Sequence, residues 1–239
     1  MRSYTRHQLK QDAFRAQTTE TISWAVENRS NLVVAGIATA VIVAVVLGGW
    51  WYVDYRDKQA QSELSAAMQN YNSPIRPAGQ PPVPGEVSFA SAQERAKATN
   101  ADFTRVADKY GFTQSGRIAR YLAGITAHDM GDNADAEKAL QMVASSRSKE
   151  IASLAKLALA GIYHDTGRDP QAIGLYKDLA DHPTASVGKS TAQLLLASLY
   201  EESHQPDQAR VLYQQMQKES PASPVAQLAA QKLRTLGQQ

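Results

Sequence analysis

The stretch LAGIYHDTGRDPQAIGLY, residues 159–176, decides the fold of this chain because its pattern occurs three times. AGITAHDMGDNADAEKAL precedes it at residues 123–140, and LASLYEESHQPDQARVLY follows it at residues 196–213. The starts at residues 123, 159 and 196 are separated by 36 and then 37 residues. A nearly fixed period of this length indicates a repeat protein, in which each unit stacks on its neighbours.

Each stretch has the features of two helices joined by a turn. Small residues recur where the helices have to approach closely, and a turn residue separates the helices. An alanine and a large residue four positions later then share one face of the second helix. In unit order, the small residues of the first helix are Gly124, Ala160 and Ala197, and the core residues three positions later are Ala127, Tyr163 and Tyr200. The turn residues are Gly131, Gly167 and His204. In the second helix, the alanines are Ala136, Ala172 and Ala209, and the large residues are Leu140, Tyr176 and Tyr213. The pattern predicts an all-α solenoid of helical hairpins.

Further helix signals flank the three units. Ser91 and Glu94 fit a capping box that starts a helix running to about Tyr110, and Phe103 lies 37 residues before Leu140. A half-repeat is therefore expected before the first unit. Asp169 is expected to cap the helix that begins at Pro170. A last helix from Ser223 to Gly237 is expected to cap the solenoid, with inward-facing Val225, Leu228, Ala229, Leu233 and Leu236.

Residues 30–53 contain no charged side chain. The 22 residues from Leu32 to Val53 would span about 33 Å as a helix, which matches a bilayer core of about 30 Å. Trp50, Trp51 and Tyr52 lie at one end, where an interfacial aromatic belt is expected. A buried globular helix and a cleaved signal peptide are the alternatives. A buried globular helix of this length would normally carry some polar positions, which this stretch lacks. A cleaved signal peptide does not fit the 29 polar residues that precede the stretch. The sequence predicts a single N-terminal transmembrane helix.

Basic residues predict the orientation of this helix. Five precede it and only two follow it over a similar distance, so the positive-inside rule puts the N-terminus in the cytoplasm. In a Gram-negative bacterium, the remaining chain then lies in the periplasm and the helix in the inner membrane. These basic residues are Arg2, Arg6, Lys10, Arg15 and Arg29 on one side, and Arg56 and Lys58 on the other.

The remaining segments complete the expected domain layout. Residues 1–29 form a cytoplasmic basic arm, and residues 54–71 an extramembrane helix that is a possible first helix of the first repeat. Five prolines make residues 72–88 a linker or loop, read as a spacer rather than as a PxxP ligand. Residues 89–239 form the periplasmic repeat domain.

The repeats resemble the tetratricopeptide repeat over roughly residues 117–221, although Arg120, Lys156 and Gln193 replace its first-helix tryptophan. The resemblance implies that partners bind a concave surface lined by the first helix of each hairpin. That surface is expected to be apolar with an acidic rim, which suits hydrophobic or basic segments. Packing of the same side chains between helices is the alternative. The candidate residues are Ile118, Tyr121, Ile125, His128 and Asp129; Leu154, Leu157, His164 and Asp165; and Thr191, Leu194, Ser198, Glu201 and Glu202.

Site chemistry beyond partner binding is not expected. The net charge of +2 does not suggest nucleic-acid binding, and the absence of cysteine excludes thiolate sites. The His-Asp pairs at residues 128–129 and 164–165 are read as polar helix ends, since neighbouring helices are about 10 Å apart, too far for one metal ion. No motif of a nucleotide-binding loop or a hydrolase is present. The chain is therefore predicted not to be an enzyme and to use no cofactor, metal or small-molecule substrate.

The N-terminal arm adds a resemblance to one family. TRHQLKQDAF at residues 5–14 and WAVENR at residues 24–29 look like those of the YfgM-like proteins, ancillary subunits of the bacterial SecYEG translocon. The resemblance implies an inner-membrane protein whose repeat domain associates with the translocon and with a periplasmic chaperone such as the isomerase PpiD. The alternative function is a structural scaffold for another envelope complex, in cytochrome maturation, cell division or outer-membrane assembly.

Overall fold

A computed structural model describes residues 28–77, 79–219 and 221–237. Within these residues the chain is all-α, with nine helices and no strand, which confirms the predicted fold class. Most of the predicted basic arm lies outside the described residues. The helices are α1 (Arg29–Tyr71), α2 (Ala92–Tyr110), α3 (Gln114–Asp129), α4 (Asn133–Ala144), α5 (Lys149–Asp165), α6 (Asp169–Asp181), α7 (Lys189–Glu202), α8 (Pro206–Glu219) and α9 (Pro224–Leu236).

The chain forms two compact units, Met1–Asp54 and Tyr55–Gln239. The described part of the first unit is the beginning of α1, a helix of 43 residues. Its apolar stretch has a mean hydropathy of 2.6 and no buried residue. This helix is long and apolar enough to span a membrane, as the sequence predicted.

The second unit begins with the outer part of α1, which packs against α2. Ala60, Leu64 and Ala67 lie on one side of the helix and are buried because they recur at helical spacing. At the edge of this contact, the Glu63 carboxylate accepts hydrogen bonds from Lys109 Nζ and Tyr110 Oη, both at 2.7 Å. The cluster buried by these helices and α3 contains Ala60, Leu64, Ala67, Phe103, Val106, Ala107, Tyr110, Ala119 and Ala123.

The proline-rich segment is the loop of this first hairpin. Arg76 N donates to Phe89 O at 2.8 Å, and Phe89 N donates to Pro74 O at 3.1 Å, so the two ends of the loop are held together. Arg95 Nη1 also donates to Ser73 O at 3.1 Å. The loop is therefore fastened at its base.

Close helix packing in the following hairpins depends on the predicted small residues. Ala136, Ala172 and Ala209 are fully buried. A Cβ atom on Gly124 would lie 2.6 Å from Leu140 Cγ, so a larger residue would force Leu140 or one of the helices α3 and α4 to shift. The three hairpins α3–α4, α5–α6 and α7–α8 thus have the expected crossing points.

Helix starts mostly follow the predicted caps. Ser91 Oγ accepts from Glu94 N at 3.0 Å, and Ser223 Oγ accepts from Ala226 N at 3.1 Å. The expected cap at Asp169 is wrong, because Asp169 is already the first helical residue and Arg168 precedes the helix. The Asp169 carboxylate instead bonds to the side chains of His164, at the end of α5, and Ser203, just after α7.

The C-terminal helix α9 packs against α8 and covers the end of the last hairpin. Ala226 and Ala229 are buried, and Val225, Leu233 and Leu236 pack against the adjoining core. Leu228 is 38% exposed, so its predicted inward position is wrong. The close approach of the backbones is made by alanines, which leaves Leu228 on the outer side of the helix.

In the hairpins α3–α4, α5–α6 and α7–α8, the turn between the two helices contains a residue in the left-handed conformation. Gly131 and Gly167 have φ values of 84° and 72°, and His204 has a φ of 57° at the equivalent position of the third unit. A side chain disfavours this conformation by about 1–2 kcal/mol, whereas glycine adopts it freely. The third turn therefore keeps its shape at a conformational cost.

Exchanging residues between these turns should change stability in opposite directions. We expect His204→Gly to raise the free energy of unfolding by about 0.5–1 kcal/mol, because it relieves the strain. We expect Gly167→His to lower it by about 1–2 kcal/mol. Urea unfolding of the detergent-solubilised chain measures both values. Equal losses of stability in the two variants would contradict this explanation of the turn.

Candidate functional site: the groove between α1, α3 and α5

An open groove of about 1180 Å³ lies in the second unit. It lies between the outer part of α1, the first half of α3 and the start of α5, and the fastened loop borders it. Its walls are Asp57, Gln61, Leu64, Ser65, Met68, Gln69, Asn72, Ser73, Pro74, Gln114, Ser115, Ile118, Tyr121, Leu122, Ile151 and Leu154. These helices are the first helices of successive hairpins, as expected for a concave surface.

Apolar side chains at helical spacing form the inner surface of the groove. Each helix contributes a pair three or four residues apart, which places both members on the same face. All of these side chains except the buried Leu64 are partly exposed, which leaves apolar area available for contact with a partner. The apolar wall residues are Leu64 and Met68 from α1, Ile118, Tyr121 and Leu122 from α3, and Ile151 and Leu154 from α5.

The polar part of the groove is almost free of charge. Its outer wall carries amides, including Gln61, Gln69 and Gln114, and Asp57 is the only charged residue among the described lining residues. Asp57 Oδ1 accepts a hydrogen bond from Ser115 N at 2.8 Å. Burial raises the pKa of the Tyr121 hydroxyl, so this group remains a neutral hydrogen-bond donor. The expected acidic rim is therefore not part of this groove.

The structure brings together only some of the residues proposed from the sequence. Ile118, Tyr121 and Leu154 line the groove. Leu157 and Leu194 pack against the core of the later repeats. The groove residues that sequence reasoning missed are Leu64, Met68 and Ile151. Leu64 and Met68 lie four residues apart, a helical spacing that is visible in the sequence.

Other proposed residues have specific partners within the domain. The Glu201 carboxylate accepts from Tyr213 Oη at 2.5 Å and from Lys232 Nζ at 2.9 Å, so it joins α7, α8 and α9. Ile125 and Ser198 are half-buried, and Asp129 and Thr191 are exposed. Their role in partner binding stays a prediction.

The recurring histidines link neighbouring repeats. His128 Nε2 lies 3.4 Å from Asp165 Oδ2, and His164 Nε2 lies 2.7 Å from Glu202 Oε2. In both cases the histidine of one unit meets the acidic residue one position later in the next unit. The links therefore run along the ends of α3, α5 and α7, a contact that the sequence interpretation as separate helix ends did not foresee.

Each histidine also bonds to the second helix of its own hairpin. His128 Nδ1 lies 2.8 Å from Asn133 Oδ1, and His164 Nδ1 lies 2.8 Å from Asp169 Oδ1. Asp169 Oδ2 accepts from Ser203 Oγ at 2.6 Å. His164 therefore faces a carboxylate at both ring nitrogens, whereas His128 faces an amide and a carboxylate. Among the described residues, no group of three or more acidic or histidine side chains could hold a metal ion.

The carboxylates change the protonation of this cluster. The hydrogen bond to Asp169, followed by that to Glu202, raises the pKa of His164. The hydrogen bond to His164, followed by that to Ser203, lowers the pKa of Asp169. The stabilising contribution of His164 is therefore complete below its unfolded pKa of about 6.5 and is lost as pH rises through the folded value. The contribution of Asp169 is lost only in acid.

Removing the His164 link should consequently destabilise the domain in a pH-dependent way. We expect His164→Gln to lower the Tm of the full chain in detergent by about 2–4 °C at pH 5.5, a shift on the scale of one weak, partly exposed ion pair. At pH 8.5 the loss should be less than half as large. His182→Gln is the control, because the described contacts of the His182 ring are to Asp178 of the preceding helix α6 and do not link two repeats. An equal loss at both pH values for His164→Gln would show that its charge is unimportant.

A smaller cavity of about 490 Å³ lies between α6, α7 and α8. Leu196, Val211 and Leu212 line it together with charged residues of both signs. One of these, Lys189, pairs with Glu219 at 2.7 Å. The larger groove offers more apolar surface and fewer charges, and it is the better candidate for partner binding.

Comparison with known protein families matches residues 23–238 to the model described as a tetratricopeptide repeat-like domain. No curated protein and no solved structure matches the chain. The matched region covers the apolar part of α1 as well as all the hairpins. The fold is a scaffold for protein–protein interaction, and the chain belongs to the tetratricopeptide repeat-like domain family.

Proposed function

We propose that this protein is a membrane-anchored adaptor of the bacterial envelope. In this proposal it binds protein partners at the exit of the Sec translocon and assists their transfer to a periplasmic chaperone. The observation that carries the proposal is the groove of about 1180 Å³, whose wall is apolar and nearly uncharged. Such a wall suits apolar segments of many sequences, as an emerging client or a chaperone helix would present.

The family membership and the apolar helix support the two parts of this proposal. The repeat fold supplies an interaction surface, and α1 is long and apolar enough to anchor it. The resemblance of residues 5–14 and 24–29 to the YfgM-like proteins points to the translocon rather than to another envelope complex. Among the described lining residues of the groove, Asp57 alone is charged, so none of them is a lysine that would hold a peptide carboxylate.

The charge distribution supports the proposed topology. Five basic residues in the arm against two in residues 54–73 favour a cytoplasmic N-terminus. The second unit, Tyr55–Gln239, would then be periplasmic, and residues 30–53 would cross the inner membrane. No cofactor or small-molecule substrate enters this function.

Site-specific photocrosslinking in cells tests the adaptor function. We expect a photoreactive amino acid at Ile118 or Leu154 to crosslink translocon subunits, a periplasmic chaperone or exported clients, because both residues line the groove. The matched control is Met142, which is 53% exposed on α4 and outside the groove. It should give at least several-fold fewer of these products.

The identity of the products separates the adaptor from the alternative. Recovery of cytochrome-maturation, division or outer-membrane assembly proteins alone would favour a structural scaffold and contradict the adaptor. Equal product patterns from the groove and Met142 would show that the groove is not the binding surface. A Leu154→Gln variant that keeps the parental Tm should lower the yield from Ile118, since it makes the groove wall more polar.

A further inference from the structure

A row of uncharged polar side chains forms one rim of the groove. Gln61, Ser65 and Gln69 follow one another in α1 at intervals of four residues, and all three are exposed and line the groove. Residues four positions apart lie on the same face of a helix. The row therefore runs along α1, directly beside the apolar wall residues Leu64 and Met68.

The polar groups of this row are available to a partner. In the part of the chain that the structure describes, the three side chains have no hydrogen-bond partner. Asp57, four residues before Gln61, differs because its carboxylate accepts from Ser115 N at 2.8 Å. Each glutamine offers two N–H donors and a carbonyl acceptor, and the serine hydroxyl both donates and accepts. The row can therefore bond to N–H and C=O groups alike.

The spacing of the row matches the backbone of an extended chain. Each step of four residues advances about 6.0 Å along the helix. An extended chain turns the N–H and C=O groups of every second residue to the same side, about 6.4–6.8 Å apart. From Gln61 to Gln69 the mismatch adds up to about 0.8–1.6 Å, which flexible side chains absorb. The row thus fits about four extended residues.

The apolar wall of the groove fits alternate side chains of the same segment. Ile118 and Leu122 line the wall four residues apart, which is again a step of about 6.0 Å along their helix. Every second side chain of an extended segment points to the same face. Charged side chains are disfavoured on this face, because Asp57 is the one charged residue among the described lining residues and burial of an unpaired charge is costly.

A helical segment would make less use of the row. The backbone N–H and C=O groups of a helix are bonded within the helix, so only its side chains could reach the amides. Those side chains differ from one partner to the next, whereas main-chain groups occur in every extended segment. A row that bonds to the main chain combines binding with tolerance of sequence.

We propose that the groove binds an extended, uncharged segment of a partner protein. Alternate apolar side chains of the segment lie on the wall formed by α1, α3 and α5, and its backbone bonds to Gln61, Ser65 and Gln69. The inference rests on the proposed adaptor function, and it specifies the conformation and the chemistry of the segment that the groove accepts.

Binding of synthetic peptides to the full chain in lipid nanodiscs tests this mode. The parent probe is a dye-labelled peptide of about seven residues in which valine alternates with threonine. Two comparison peptides carry N-methyl groups, one on its valine amides and the other on its threonine amides, so each loses the donors along one edge. Fluorescence anisotropy measures the three Kd values.

One methylated peptide should bind at least fivefold more weakly than the other. Only one edge of the extended chain faces the row, and each hydrogen bond lost there weakens binding by a few-fold. Equal affinities of the two methylated peptides would overturn the extended mode. The absence of saturable binding of the parent peptide would overturn it as well.

A double variant tests the role of the row. Gln61→Met combined with Gln69→Met keeps the side-chain volume and the helix propensity but removes both amides. This variant should bind the parent peptide at least threefold more weakly and should no longer distinguish the two methylated peptides. Unchanged or tighter binding of the parent peptide would show that the row makes no backbone contact.

The matched control combines Gln227→Met with Gln231→Met on the exposed side of α9, outside the groove. It should leave all three Kd values unchanged. A change equal to that of the groove variant would contradict a specific role of the row. The Tm of each variant verifies its folding, and the comparison of methylated peptides on the unaltered chain requires no variant.

Photocrosslinking from Ile118 and Leu154 separates the two possible failures. If these positions capture translocon, chaperone or client proteins while both methylated peptides bind equally, the extended mode is wrong and the adaptor function stands. If the peptides differ as expected but no such protein is captured, the binding mode is supported and the proposed adaptor function is wrong.

Discussion

The contact between the outer part of α1 and α2 is the interaction on which the repeat domain depends. A stack of helical hairpins has an open apolar face at each end, and each face has to be covered. Ala60, Leu64 and Ala67 cover the first end by packing over Phe103 and its neighbours. Without this cover a fully buried phenylalanine would be exposed, at a cost of about 1.5–3 kcal/mol for that side chain alone. At the other end, α9 has the same role.

This arrangement gives α1 two functions within one helix. Its first part is apolar on all sides, as a membrane-spanning helix requires, and its outer part has a single apolar stripe. The change occurs near Asp54, where charged residues first follow the apolar run. Leu64 and Met68 then contribute to the groove as well. The proposed anchor, the first repeat and the proposed binding surface are therefore built from consecutive residues.

The sequence predicted most of the fold because the decisive features are local and repeated. Small residues at the crossing points and the turn position occupied by His204 could be found by comparing units, and the capping serines by their local motifs. The contacts between units could not be found in this way. Periodicity shows that His164 and Glu202 lie at helix ends, but their bond depends on the offset between neighbouring repeats. The absence of an acidic rim from the described lining of the groove also depends on how neighbouring repeats are placed, which periodicity does not show.

Hydrogen exchange of the full chain in lipid nanodiscs tests the central claim most directly. If α1 is the first helix of the solenoid, amides of residues 60–71 should exchange as slowly as those of α2 and α3, because they open only when the hairpin opens. Exchange at the rate of an isolated helix in residues 60–71, with α3–α9 still protected, would contradict the account. It would show that the repeat domain closes its first hairpin without α1.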